Sequence, residues 1–313
     1  MDHFSQANNL LFIGSEAFRS RYGIINYQDI GLPPLQNILR IYNYPMTTGN
    51  TQLILVEGGD IYHVINDTTM YGPILSIPEM TDFGFVSYAS RAYITPFNSV
   101  LVEGMNREVG LEDEFLYVYL GDGTSARPAG GDPPPDTPVM TTMPGGPVGH
   151  TPGGFHTFGV VFETNTGYLT APGAMDGSGN FSPDEAQDFN SIPVSPDSFV
   201  VARHIVISKT IVDYNGNPRA YPLFFLPGGT INDNVTTTLQ DVSWFDEDLF
   251  EDASHLIDNF SDIGAGVNLW LYHDRLCLCT QFDEISLIRV SQIGEPEAFS
   301  QIDGFCLMPP NGD

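Results

Sequence analysis

The sequence predicts an all-β fold of antiparallel sheets, arranged as a sandwich or a propeller. Three observations predict it. Apolar stretches are short, aromatic and β-branched, as in Thr51-Gln52-Leu53-Ile54-Leu55-Val56 and Phe115-Leu116-Tyr117-Val118-Tyr119-Leu120. Each is closed by glycine or an acidic turn, Glu57-Gly58-Gly59-Asp60 after the first and Gly121-Asp122-Gly123 after the second. Glycine (32 residues) and proline (24) are both abundant in the 313-residue chain, against a usual ~7% and ~5%.

Taken in order, Leu39 to Tyr42 reads as a strand, followed by Thr51 to Val56 and Ile61 to Ile65. Phe83 to Ala89, Arg91 to Thr95 and Phe115 to Leu120 come next. A stretch from Gly130 to Gly154 carries Gly-Gly-Asp-Pro-Pro-Pro-Asp-Thr-Pro and two Pro-Gly-Gly runs, the composition of a linker or long loop. Beyond it lie strand candidates Phe155 to Thr164, Val200 to Lys209, Leu223 to Leu226, Val267 to Tyr272, Arg275 to Thr280 and Ser286 to Val290. Between Asp246 and Phe260, apolar Leu249, Phe250, Ala253, Leu256 and Ile257 fall on a 3.6-residue period, which predicts a short surface helix.

Charge and composition exclude several classes. Lysine plus arginine number 11 against 39 aspartates and glutamates, a formal charge of −28, and Lys209 is the only lysine. A basic nucleic-acid reader is excluded, because phosphate binding needs a cationic footprint. Disorder is excluded by 42% hydrophobic residues, enough for a core. No apolar run reaches the ~18–20 residues of a membrane span, so none is expected. Met1 to Leu10 lacks a cationic start before an apolar core, so no secretory signal is expected there.

The candidate chemistry is thin. Cys277, Cys279 and Cys306 are odd in number, and Cys-Leu-Cys is neither a disulfide framework nor a zinc pattern, so free thiols are expected. Asp176-Gly177-Ser178-Gly179-Asn180-Phe181-Ser182-Pro183-Asp184-Glu185 alternates oxygen donors as calcium loops do, but Gln187 stands where the bidentate glutamate belongs, so a polar loop is expected. Gly121 to Arg127 lacks the lysine of a phosphate cradle and reads as a turn. His63, His150, His156, His204, His255 and His273 are scattered, and no Gly-x-Ser-x-Gly elbow accompanies them. Glu295 and Glu297 flank Pro296, and Asp246-Glu247-Asp248 with Glu251-Asp252 reads as a solvated helix face. No catalytic, cofactor-binding or metal residue is assigned, and no enzyme is expected.

Three separated pieces carry a resemblance: Phe162-Glu163-Thr164-Asn165-Thr166-Gly167, Ala202-Arg203-His204-Ile205, and Ile231 through Asp241 with its Asp233-Asn234-Val235-Thr236-Thr237-Thr238 core. In that order they resemble the fibronectin-III-like modules of bacteriophage virion proteins. The flanking segments resemble blades from the β-propeller of short-tailed phage nozzle, or DNA-stabilisation, proteins. There the matching residues are Arg19-Ser20-Arg21-Tyr22-Gly23, the hairpin from Gln52 to Val64, Leu271 to Cys277, and the corner Arg289-Val290-Ser291-Gln292-Ile293-Gly294-Glu295-Pro296-Glu297-Ala298-Phe299. In that corner Gly294 suits a tight turn, Pro296 stops pairing, Glu297 accepts donors freed at the turn and Phe299 packs back on the sheet.

The resemblance implies an all-β chain of propeller-like antiparallel sheets with an inserted immunoglobulin/fibronectin-III-like sandwich. The expected domains are a propeller-like first part over 1–130, a linker over 131–154, the inserted module over 155–244 and a propeller-like second part over 245–313. At roughly 40–45 residues per blade, the propeller-like parts hold about four to five blades. The implied role is a structural virion protein of a phage tail or neck, forming a symmetric ring of its own copies along the DNA exit channel. Portal, adaptor and fibre proteins are its implied partners, double-stranded DNA is passing cargo for ejection, and no cofactor is involved. Two other roles fit the residues: a carbohydrate-binding or carbohydrate-cleaving propeller, its rings Trp244, Trp270 and the tyrosines stacking on sugars, and a capsid decoration or fibre-anchor protein.

Overall fold

The computed structural model describes residues 10–12, 18–20, 37–45, 51–66, 68–102, 105–111, 113–142, 149–181, 185–210, 222–282, 285–300 and 305–308. These residues are all-β, in antiparallel sheets, and none of them is α-helical. No helix among them is long and apolar enough to cross a membrane. The chain forms two compact units: Met1–Arg127 with Ala265–Asn268, and Pro128–Gly264 with Leu269–Asp313.

In the first unit β1 (Leu10–Phe12) and β2 (Phe18–Ser20) form a hairpin. Strands β3 (Ile38–Asn43), β4 (Thr51–Val56), β5 (Asp60–Ile65) and β6 (Thr69–Ser76) follow as a sequential antiparallel meander. A second sheet holds β7 (Asp82–Tyr88), β8 (Arg91–Val102), β9 (Met105–Gly110), β10 (Tyr117–Tyr119) and the two-residue β11 (Arg127–Pro128), in the order β11-β10-β8-β7 with β9 also on β8. Leu53, Leu55 and Ile61 from the meander share one core with Phe83, Ile94 and Tyr119 from the second sheet. Every residue of β4 is buried, and Ile54 and Val56 pack with Tyr62 and Val64 in a separate cluster. The run of apolar residues in Thr51–Val56 therefore reflects burial on both faces.

The β4–β5 turn explains the paired glycines. Gly58 and Gly59 both adopt positive φ, +99° and +81°, which costs other residues steric strain. At Gly59 a Cβ would lie 1.7 Å from the Ile77 carbonyl oxygen, so glycine is demanded by contact as well as by φ.

The second unit opens with β12 (Val139–Thr142), inside the Pro/Gly-rich stretch, then β13 (Gly154–Thr164), β14 (Asp176–Phe181), β15 (Gln187–Asn190), β16 (Val200–Ser208), β17 (Leu223–Ile231) and β18 (Leu239–Val242). They form a four-stranded sheet, β14-β13-β16-β17, and a three-stranded one, β12-β15-β18. Phe158, Phe162, Ile205 and Ile207 of the larger sheet share a core with Phe189 and Val242 of the smaller, together with Trp244. A third sheet has β19 (Asn268–Tyr272), β20 (Arg275–Phe282), β21 (Ile285–Gln292) and β22 (Glu295–Phe299) in sequential order, with β23 (Phe305–Met308) also on β21.

One local expectation is corrected. Residues 246–260 form no α-helix but two short 3-10 turns, Asp246–Asp248 and Ser254–Asp258. Between them, Glu251 O accepts the Phe225 N–H at 3.0 Å and Ala253 N–H donates to Leu223 O at 2.9 Å, so the backbone is committed to β17. Asp248 and Asp252 accept N–H bonds from Phe245 and Ser254, the local capping that competes with helix. Pro296 lies within β22, an edge strand whose pairing to β21 breaks after Glu295 and resumes at Phe299 with a shifted register, where a missing N–H is tolerated. Glu297 accepts the Gly130 N–H at 3.0 Å, a donor 167 residues away. At the same corner, Gly294 has φ +78° and Phe299 is buried, as expected.

A buried arginine closes one end of the shared core. On β16, Arg203 alternates with Ile205 and Ile207 and so points to the core side. Its side chain is 0% exposed, whereas that of Asp233 is 42% exposed. Nε donates to Asp233 O (3.0 Å), Nη1 to Pro193 O (2.8 Å), and Nη2 to Asp233 Oδ1 (2.9 Å) and Thr236 O (2.6 Å). The Asp233 carboxylate also takes the Thr236 hydroxyl and the Thr236 and Val235 N–H groups; these bonds, with Arg203, hold its pKa well below the usual range. Asn234 completes the closure by a reciprocal pair of bonds with the Ser195 backbone.

Removing Arg203 takes the donor from one buried and two part-buried backbone carbonyls. Arg203→Met is expected to destabilise the protein by about 3–5 kcal/mol in urea unfolding. Val235→Ala, at a side chain 77% exposed, changes stability by no more than about 0.5 kcal/mol.

Candidate functional site

A groove of about 410 Å³ opens on the face of the β14-β13-β16-β17 sheet opposite the core. Along β16, Ala202, His204 and Val206 alternate with the core-facing residues, so His204 points into this groove. His204 lies directly across from Thr230 on β17, and diagonally from Glu163, whose own partner is Ala202. Its Nε2 is 2.7 Å from Glu163 Oε2 and its Nδ1 3.2 Å from Thr230 Oγ1. The Phe225 ring meets the imidazole edge-on at 5.7 Å. Carboxylate, imidazole and hydroxyl thus run in line across three strands, with both imidazole nitrogens engaged. Leu169, Phe225 and Pro227 give the groove apolar walls; Asp248, Phe250 and Glu251 come from the segment between the two 3-10 turns and its edge.

In the sequence Glu163 belongs to one motif piece and His204 to another, and His204 is also one of the scattered histidines. Strand alternation is the signal that puts each on the outer face. Their meeting depends on the β13–β16 register, which no local pattern encodes.

The other sequence candidates resolve as structural groups. Asp176–Phe181 is extended as β14 rather than looped, and residues 182–184 lie outside the described residues. Gln187 is buried and bonded to the Thr142 hydroxyl and Glu185 O. In Gly121–Arg127 the Gly123 N–H donates to Tyr119 Oη, Thr124 N–H to Asp122 and Ala126 N–H to Ile74 O, so these donors serve the turn. His156 lies buried between Ser208 O and the Thr210 hydroxyl. Trp244 is inside the core and offers no sugar-stacking face. Cys277 and Cys279 are free thiols, and burial pushes both pKa values up. Cys279 and Cys306 both pair in backbone register with Ile288, from opposite sides of β21. Among the described residues no group of three or more His, Cys, Asp or Glu side chains could hold a metal ion.

His63 in the first unit is the other unusual ionisable group. It is fully buried, with Tyr44, Tyr71 and Tyr119 rings at 5.4, 5.9 and 5.3 Å. Because the Gly123 N–H donates to Tyr119 Oη, the phenol proton is available to His63 Nδ1, 2.6 Å away. Its Nε2 has no partner among the described residues. Burial lowers the His63 pKa to about 4.

No protein-family model matches the chain, and no curated protein matches it significantly.

The His63 environment fixes a pH dependence. The unfolded chain takes up this proton near pH 6.5, the folded one only near pH 4, so the stability is present above about 6.5 and lost as pH falls to about 4. His63→Phe is expected to flatten the stability-against-pH curve in that window by up to about 3 kcal/mol relative to the parent. Urea midpoints for both proteins from pH 4 to 7 measure it; parallel curves would contradict the assignment.

Proposed function

We propose that the chain is a structural, non-catalytic protein of a tailed-phage virion, a nozzle-like component of the tail or neck that assembles into a symmetric ring. The observation that carries this reading is strand order. The β14-β13-β16-β17 sheet facing β12-β15-β18 around one core has, in the larger sheet, the order of the four-stranded sheet in a fibronectin-III-like sandwich. The meanders β3-β4-β5-β6 and β19-β20-β21-β22 have the sequential four-stranded order of propeller blades. On this reading the two motif pieces around Arg203 and Asp233 are one structural lock of the inserted module.

The mechanism is mechanical and electrostatic. Copies pack through sheet edges, which covers unpaired backbone groups, and rotational symmetry encloses a DNA path. Portal and adaptor proteins seat the ring. A charge of −28 lets carboxylates line the channel and repel phosphates, so the genome slides through without being gripped.

Mass photometry of the purified chain, alone and with portal–adaptor complexes, is expected to give a discrete multiple of 34.3 kDa, with a central hole in negative stain. A monomer under both conditions overturns the proposal, as does retention on duplex DNA at physiological salt.

A further inference from the structure

We propose that the groove over His204 docks a basic, partly apolar segment of a partner protein, seating an arginine side chain among Glu163, Asp248 and Glu251. The reading concerns this groove alone and does not depend on ring assembly.

The lining chemistry selects the occupant. Leu169, Phe225 and Pro227 offer apolar surface, while the charged side chains around them are three carboxylates with no lysine or arginine in the lining. Phe250 is 82% exposed at the rim, a large aromatic ring left in water beside Asp248 and Glu251. A volume of about 410 Å³ lies at the lower end of ligand-sized pockets, ~300–1,000 Å³.

Arginine satisfies both halves of this lining. Its planar guanidinium stacks on aromatic faces and offers a fork of donors to carboxylates, whereas lysine is a compact, strongly hydrated charge. His204 and Thr230 hold Glu163 in place, so that carboxylate loses little rotamer freedom on binding. Gly167 and Gly228 line the groove with nothing within 4 Å of an added Cβ, leaving the rim open to an entering chain. A second copy of this chain is a poor donor of the segment, because it carries only 11 lysines and arginines against 39 aspartates and glutamates.

The test uses the full chain and a defined probe, acetyl-Leu-Arg-Phe-amide, with the Lys and Glu versions as comparisons, followed by ¹⁵N–¹H NMR at the Gly167 and Gly228 amides. Saturable shifts are expected with the Arg peptide, weaker ones with Lys and none with Glu. Asp248→Asn with Glu251→Gln is expected to weaken binding about tenfold or more, and Phe250→Ala about two- to fivefold. These side chains are exposed, so an unchanged urea midpoint certifies the fold. The proposal is overturned if the Glu peptide binds equally, if the Arg peptide leaves both amides unmoved, or if the double variant binds as tightly as the parent.

Discussion

A guanidinium taken wholly out of water must find acceptors, and Arg203 finds them on two loops at once. Pro193 O lies on one; Asp233 O, Asp233 Oδ1 and Thr236 O lie on the other. The loop that leads out of β15 and the loop between β17 and β18 are therefore fixed relative to β16, and the core shared by two sheets is shut at that end. The same constraint fixes which way β16 faces. With Arg203 held on the core side, strand alternation leaves His204 on the outer side, where Glu163 and Thr230 meet it. The polar lock and the groove are thus two faces of one strand assignment; a one-residue slip would bury the imidazole and expose the guanidinium.

How much of this was legible in the sequence depends on distance along the chain. The strand at Thr51–Val56, its Gly58-Gly59 turn and the left-handed Gly294 are local, and composition and spacing reveal them. The motif pieces at Ala202–Ile205 and Ile231–Asp241 are visible as patterns, but their coupling through Arg203 and Asp233 crosses 30 residues and belongs to the fold. The helix expected over 246–260 shows the opposite failure. Its apolar spacing is real, with Leu249, Ala253 and Leu256 buried, yet β17 claims the backbone groups that a helix would use. Glu297 was legible as an acceptor but not by partner, because Gly130 is remote in sequence.

The arginines give the charge imbalance a structural meaning. Arg40 bonds Asp82 at 2.7 Å, Arg275 donates to Ser291 O, and Arg289 lies over the Phe260 ring at 4.4 Å. The lone lysine, Lys209, lies over the Phe224 ring. With Arg203, these cations tie to carbonyls, rings and single carboxylates. Arginine suits that work because its charge is retained on burial and its donors are fixed in a plane. The net acidity is set by composition, 39 aspartates and glutamates against 11 lysines and arginines.

The division into units is interleaved along the chain. Thr95 on β8 exchanges two hydrogen bonds with Gly266, at 2.8 and 2.6 Å, and so holds the short piece Ala265–Asn268 within the first unit. Gly130, near the start of the second unit, bonds Glu297, near its end. At a ribosome rate of about 5–20 residues per second, the 171 residues between Thr95 and Gly266 take roughly 10–30 s to emerge. The first unit therefore waits, incomplete, while most of the second is being synthesised. For the same reason a cut after Arg127 parts Thr95 from Gly266, since the short piece Ala265–Asn268 that completes the first unit is encoded within the span of the second.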